Sequence, residues 1–127
     1  MAFDWKNYIS FAEELHNSRS DEAALRSSIS RAYYGAFCKV RNYCELKHAD
    51  SIRQAKGDGA HQKVIMVLKE STDSKEFSLG NTLHSLREKR NEADYDAHAK
   101  ITKPIVSGSI KTSQNILTLL EELNDSD

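Results

Sequence analysis

An all-α protein is predicted, an antiparallel up-and-down bundle of four to five helices. Three observations predict it. Apolar residues recur at helical spacing along most of the 127 positions. One proline and five glycines leave long stretches uninterrupted. No segment alternates over a useful strand length, and short polar connections between long periodic segments favour antiparallel neighbours.

The first helix is expected from about Asp4 to Asn17, with Trp5, Tyr8, Ile9, Ala12 and Leu15 on one face. Residues 17–20 make a polar connection, and the Ser20 hydroxyl is placed to cap the next helix. The second and longest helix runs from about Asp21 to Lys47. Leu25, Ile29, Ala32, Tyr33, Ala36, Val40 and Tyr43 form its main stripe, while Ala24, Ser28, Gly35 and Cys38 offer small residues on the other side. Two packing faces mark a central helix. Polar residues from Ala49 to Gly59, ending Gly-Asp-Gly, read as a loop. A third helix begins near Gly59 and carries Val64, Ile65, Val67 and Leu68; Ser71 to Lys75 reads as a turn. The fourth runs from about Phe77 to at least Asp94. The fifth starts near Thr102, a candidate cap, and Pro104 is tolerated because first-turn N–H groups have no intrahelical partner.

The length fits one domain, 1–127, large enough to bury a core without metals or disulfides. A net charge of −1 argues against a protein that coats duplex DNA, but leaves room for a local RNA site. No apolar run approaches the roughly 18 residues of a membrane span, and Asp4 and Lys6 interrupt the N-terminal residues where a signal peptide would need an apolar stretch. Cys38 and Cys44, on one helix, would lie ~9 Å apart at ~1.5 Å rise per residue, beyond disulfide reach. Both are expected as reduced core thiols, and the compartment as cytoplasmic. No Cys-x-x-Cys pair suggests zinc, and no cofactor is expected.

The fourth helix carries the candidate chemistry. At ~100° per residue, Leu79, Leu83, Leu86, Ala93 and Ala97 share one arc, and Arg90 falls inside it. A guanidinium within a leucine stripe must be paired or must face a wet groove or interface. Asp94 stands one turn on, and His98 a further turn if the helix persists; Arg87 and Asn91 flank them. This spacing supports two readings. One is a partly buried ion pair that fixes helix packing. The other is an anion site, since a guanidinium fork suits phosphate.

Two segments, Ser30-Arg31-Ala32-Tyr33-Tyr34-Gly35-Ala36-Phe37 and Leu86-Arg87-Glu88-Lys89-Arg90-Asn91-Glu92-Ala93-Asp94-Tyr95, resemble the HEPN superfamily. The closer likeness is to its small stand-alone branch, with S-R-A-Y-Y-A-x-F and R-x-x-A-D-Y segments. The resemblance spans nearly the whole chain in helix order. It implies a bundle that forms a homodimer, with the arginine motif lining the dimer cleft. Many members are metal-independent endoribonucleases with an R-x4–6-H motif: the arginine steadies the scissile phosphate and the histidine moves the proton of the attacking 2′-hydroxyl. Such members serve as toxins beside a nucleotidyltransferase antitoxin, or in antiviral defence. In related toxins a tyrosine near the arginine motif accepts nucleotide from the partner enzyme.

This chain departs from that motif by placing Tyr95 at the histidine position, giving R-x4-Y, with His98 eight residues beyond Arg90. Tyrosine, with an ordinary pKa of roughly 10, is a poor base at neutral pH. On a straight helix Arg90 and Tyr95 point ~140° apart. Two functions are therefore expected in parallel. One is an RNA-directed candidate ribonuclease: Arg90 holds phosphate, Asn91 orients it, and Tyr95 or His98 handles the proton. The other is a non-catalytic module that binds a partner protein, a nucleotide or RNA.

The remaining candidates have plainer expectations. Arg31 pairs with a carboxylate across a helix interface, or contacts RNA. Tyr33 packs in the core with its hydroxyl satisfied, whereas Tyr34 points elsewhere and is a candidate for stacking on a base. His61 is expected as a solvated first-turn residue, and His84 as structural. His16 and His48 sit near helix ends, where the dipole favours them.

Overall fold

A computed structural model describes residues 2–52 and 58–125. Among the described residues the fold is an all-helical bundle of six helices: α1 (Lys6–Ser18), α2 (Glu22–Lys47), α3 (Ala49–Ile52), α4 (Asp58–Lys69), α5 (Ser74–Tyr95) and α6 (Lys103–Asp125). Among the described residues there is no strand, and no helix is long and apolar enough to cross a membrane.

The capping chemistry moves several boundaries from their expected places. Asp21, not Ser20, caps α2: its carboxylate accepts from the Ala24 N–H at 3.4 Å, and Arg19 grips the same carboxylate at 2.8 and 2.9 Å. A carboxylate at a helix N-terminus also complements the dipole. Asp73 caps α5 through Lys75 N–H at 2.8 Å and Glu76 N–H at 3.1 Å, so Ser74 and Lys75 are helical and not part of a turn. Within the expected Ala49–Gly59 loop, Ala49–Ile52 forms a helical turn anchored by buried Ile52; positions 53–57 lie outside the described residues. The Thr102 backbone carbonyl accepts from Val106 N–H at 3.1 Å as α6 begins.

α2 is central, as its two apolar faces predict, and packs against every other helix. At Gly35 a Cβ would meet Ile9 Cγ1 at 2.6 Å and the Trp5 carbonyl oxygen at 3.0 Å. Only glycine lets α1 seat this closely. α5 lies antiparallel to α2, since Ser30 meets Asp94 at one end and Tyr43 meets Glu76 at the other. α4 starts beside the middle of α2, where His61 stacks on Phe37, and ends near its C-terminus, where Ser71 meets Glu76. The core divides into one cluster around Tyr33, Val40, Leu68, Leu83 and Ile116, and a second around Ile9, Ile29, Ala93 and Val106. Cys38 and Cys44 are both free and buried, and burial pushes the Cys44 thiol up to about 12.

A buried polar knot joins the far end of this framework. The Glu76 carboxylate accepts from Tyr43 Oη at 2.5 Å and Ser71 Oγ at 2.6 Å, and lies 2.9 Å from His48 Nε2. His48 therefore does more than complement the end of α2; it links that end to α5. Burial pushes the Glu76 carboxyl pKa up, but the hydrogen bonds from Ser71, Tyr43 and His48, with the charge of His48, outweigh burial and hold it below its ordinary 4.5. A carboxylate with a depressed folded-state pKa stabilises the fold fully above its unfolded pKa and loses that contribution as pH falls through the folded value. The urea midpoint is accordingly expected to drop as pH is lowered past about 4.5. Glu76→Gln should flatten that drop while lowering stability at neutral pH; an equally steep acid limb in the variant would count against the knot as its source.

Candidate functional site

The site forms along α2, where α1 and the C-terminal half of α5 each pack against it. Arg90 is 6% exposed, inside the leucine arc where the helical spacing puts it. Its Nε donates to Asp94 Oδ2 at 2.9 Å, Nη1 donates to Asn91 Oδ1 at 2.9 Å, and Nη2 donates to the Tyr34 hydroxyl. Three of the five guanidinium donors are thus held within the chain. Ser30 Oγ donates to the same Asp94 oxygen at 3.2 Å, and the Asp94 side chain is 25% exposed. Of the two readings of Arg90, the partly buried ion pair is the geometry found. The fork expected to hold phosphate holds three acceptors of its own chain.

Around this pair, guanidinium groups and tyrosine rings alternate. Arg31 lies 4.9 Å from the Tyr8 ring centroid and 5.3 Å from that of Tyr34. Arg90 lies 4.9 Å from the Tyr34 centroid and 5.4 Å from that of Tyr95. The result is a ladder, Tyr8–Arg31–Tyr34–Arg90–Tyr95, built from three helices. Each step is a cation–π contact, worth about 0.5–2 kcal/mol according to exposure. Tyr95 ends the ladder 75% exposed.

Several expectations are corrected here. Arg31 has no carboxylate partner among the described residues; small neighbours on α2 and the aromatic residues of α1 leave it two rings to lie against. Tyr34 does not point away: its hydroxyl is tied to Arg90 and its ring lies between two guanidinium groups, so the exposed stacking face belongs to Tyr95. Arg90 and Tyr95 do meet, although their Cα positions diverge on a helical wheel. Tyr95 is the last residue of α5, and a long side chain leans back over the preceding turn. The Arg90–Asp94–His98 ladder stops at Asp94. α5 ends at Tyr95, the Asp96 backbone turns extended, and the exposed His98 is held through its N–H to Asp96 Oδ1 at 2.9 Å. His61 is buried and not solvated: it stacks on Phe37 at 4.0 Å and its Nδ1 lies 2.6 Å from Tyr33 Oη. His84 stands half-exposed, 3.2 Å from Glu88.

Arg26 is a site residue that the helical spacing left unremarked. Its Nη1 donates to the carbonyls of Ala93 at 3.0 Å and Asp96 at 2.8 Å, with a longer contact to Glu92, and its Nη2 donates to Ala99 at 3.0 Å. One side chain on α2 thereby closes the C-terminus of α5 and the turn after it. The positions 26, 30 and 34 recur at i, i+4, i+8, so Arg26 shares a face with Tyr34, but that spacing does not mark the carbonyls it caps. Burial pushes the Tyr33 hydroxyl pKa up, opposed by the positive charges of Arg87 and then Arg90.

No family model, curated protein or solved structure matches this chain.

Proposed function

We propose that this chain is an RNA-directed HEPN-like module that binds without cleaving. The observation that carries this reading is the arginine–tyrosine ladder, with its cations beside rings and its last ring, Tyr95, open to solvent. Unpaired bases stack on such rings, and guanidinium groups serve both stacking and phosphate contact. Binding is favoured over cleavage because Arg90 is engaged by Asp94, Asn91 and Tyr34, and the residue at the motif's proton-handling position is a tyrosine. The motif resemblance supports a cytoplasmic homodimer in a toxin–antitoxin or defence setting, beside a nucleotidyltransferase-type antitoxin or another partner protein.

The wild-type protein is expected to retard single-stranded RNA on a native gel and leave it intact in EDTA. Tyr95→Ala should weaken that binding about tenfold, the worth of one stacked base. Metal-free cleavage by the wild-type chain would reverse the choice between binding and catalysis, and unchanged affinity in Tyr95→Ala would remove the ladder's open end from the interface. Metal-free cleavage gained in Tyr95→His would support a degenerate nuclease ancestry. Intact-mass measurement after co-expression with a nucleotidyltransferase tests whether Tyr95 is a nucleotide acceptor; an unchanged mass ends that idea.

A further inference from the structure

Among the described residues, three buried side-chain polar atoms have no hydrogen-bond partner: His16 Nδ1, Arg41 Nε and Arg87 Nε. Buried donors in folded proteins are nearly always satisfied, so each exception needs a reason. Two of these three are guanidinium donors on helices that pack against each other, Arg41 on α2 and Arg87 on α5. Arg41 lies 6.0 Å from the Phe37 centroid; Phe37 stacks on His61 and on Tyr33; and Arg87 stands one turn before Arg90, which lies 5.5 Å from the Tyr33 centroid. Arg31 lies on the same side of α2, since positions 31, 34, 38 and 41 form one helical stripe and the charges of Arg41 and Arg31 both reach the Cys38 thiol.

Charge on this face is unbalanced. Arg90 has Asp94, and Arg41 has Glu45 at 3.5 Å, too poorly placed for a hydrogen bond from Nε. Arg31 and Arg87 have no carboxylate partner among the described residues, in a chain whose formal net charge is −1. Guanidinium groups with free forks suit the oxygens of phosphate esters. Arg31 and Arg41 are ten positions apart, ~15 Å along the helix. That span exceeds one phosphate group.

We infer that Arg31, Arg41 and Arg87 form a phosphate track that takes successive phosphates of one extended ligand, while Arg90 positions the ladder and does not itself hold phosphate. This inference rests on the RNA-binding reading and gives it a second set of contacts.

The test uses the full chain and fluorescence anisotropy of a short fluorescein-labelled single-stranded RNA, with inorganic phosphate and a nucleoside triphosphate as competitors. Arg41→Gln and Arg87→Gln should each weaken RNA binding about tenfold and reduce the slope of log affinity against log salt by ~0.7, the loss of one phosphate contact on a single strand. The triphosphate should compete and inorganic phosphate should not. Arg87→Lys, which keeps the charge but loses the fork, should fall between; circular dichroism confirms that each variant is folded. RNA binding that is indifferent to both glutamine variants overturns the track and leaves the RNA reading standing. A wild-type chain that ignores RNA but binds the triphosphate through Arg41 and Arg87 upholds the track and overturns the RNA reading. No binding of any of the three probes overturns both.

Discussion

Arg90→Ala is expected to destabilise the protein by about 3 kcal/mol, because removing one partner of a buried ion pair leaves the others uncompensated. Asp94 would lose its cation, and Asn91 Oδ1 and the Tyr34 hydroxyl would lose their donor. The value belongs at the lower end of the usual range, since the Asp94 side chain keeps a quarter of its surface in water. Three cation–π contacts would also vanish, the ladder's two with Tyr34 and Tyr95 and one with Tyr33. Urea denaturation at neutral pH measures the loss. Arg90→Met combined with Asp94→Leu should recover much of it, because replacing both partners leaves no orphaned charge. A single alanine variant within ~0.5 kcal/mol of wild type, the range of an ordinary surface substitution, would mean that the pair holds nothing together.

Arg26→Ala should cost a similar amount, about 3 kcal/mol, through several charge-assisted bonds to backbone carbonyls. The carbonyls of Ala93, Asp96 and Ala99 would lose their donor, at a helix C-terminus where a cation is favourable. The effect should be local as well as global. Amides of residues 95–99 should exchange faster with solvent than in wild type, and Tyr95 should lose its fixed place at the end of the ladder. Unchanged exchange there, with unchanged stability, would show that the turn holds itself. Arg26→Lys tests the geometry: a single ammonium cannot reach carbonyls spread from Ala93 to Ala99, so little rescue is expected.

These two arginines differ in how far they can be read in advance. Arg90 announces itself because it interrupts a leucine stripe, and a charge in that place must be answered by something nearby; Asp94 one turn on is the natural answer. Arg26 interrupts nothing: its Glu22 partner one turn back is an ordinary helix-surface pair, and the backbone carbonyls it caps carry no sequence signature. His61 and Glu76 were equally silent. Each is a polar residue near a helix start, an ordinary place for a solvated side chain, and each is buried by residues far away in sequence, Tyr33 and Phe37 for one, Tyr43 and His48 for the other.

Helical period, scarce glycine and proline, and the two apolar faces of α2 were sufficient to determine the all-helical bundle, its central element and the burial of Arg90, because all three depend on local spacing. Tertiary structure alone decided that α5 stops at Tyr95, that His98 leaves the site, that Tyr34 turns inward, and that Arg31 lies against rings instead of a carboxylate. Those outcomes depend on which groups from α1, α2 and α5 compete for the same space and the same hydrogen bonds, and that competition exists only once the helices are packed.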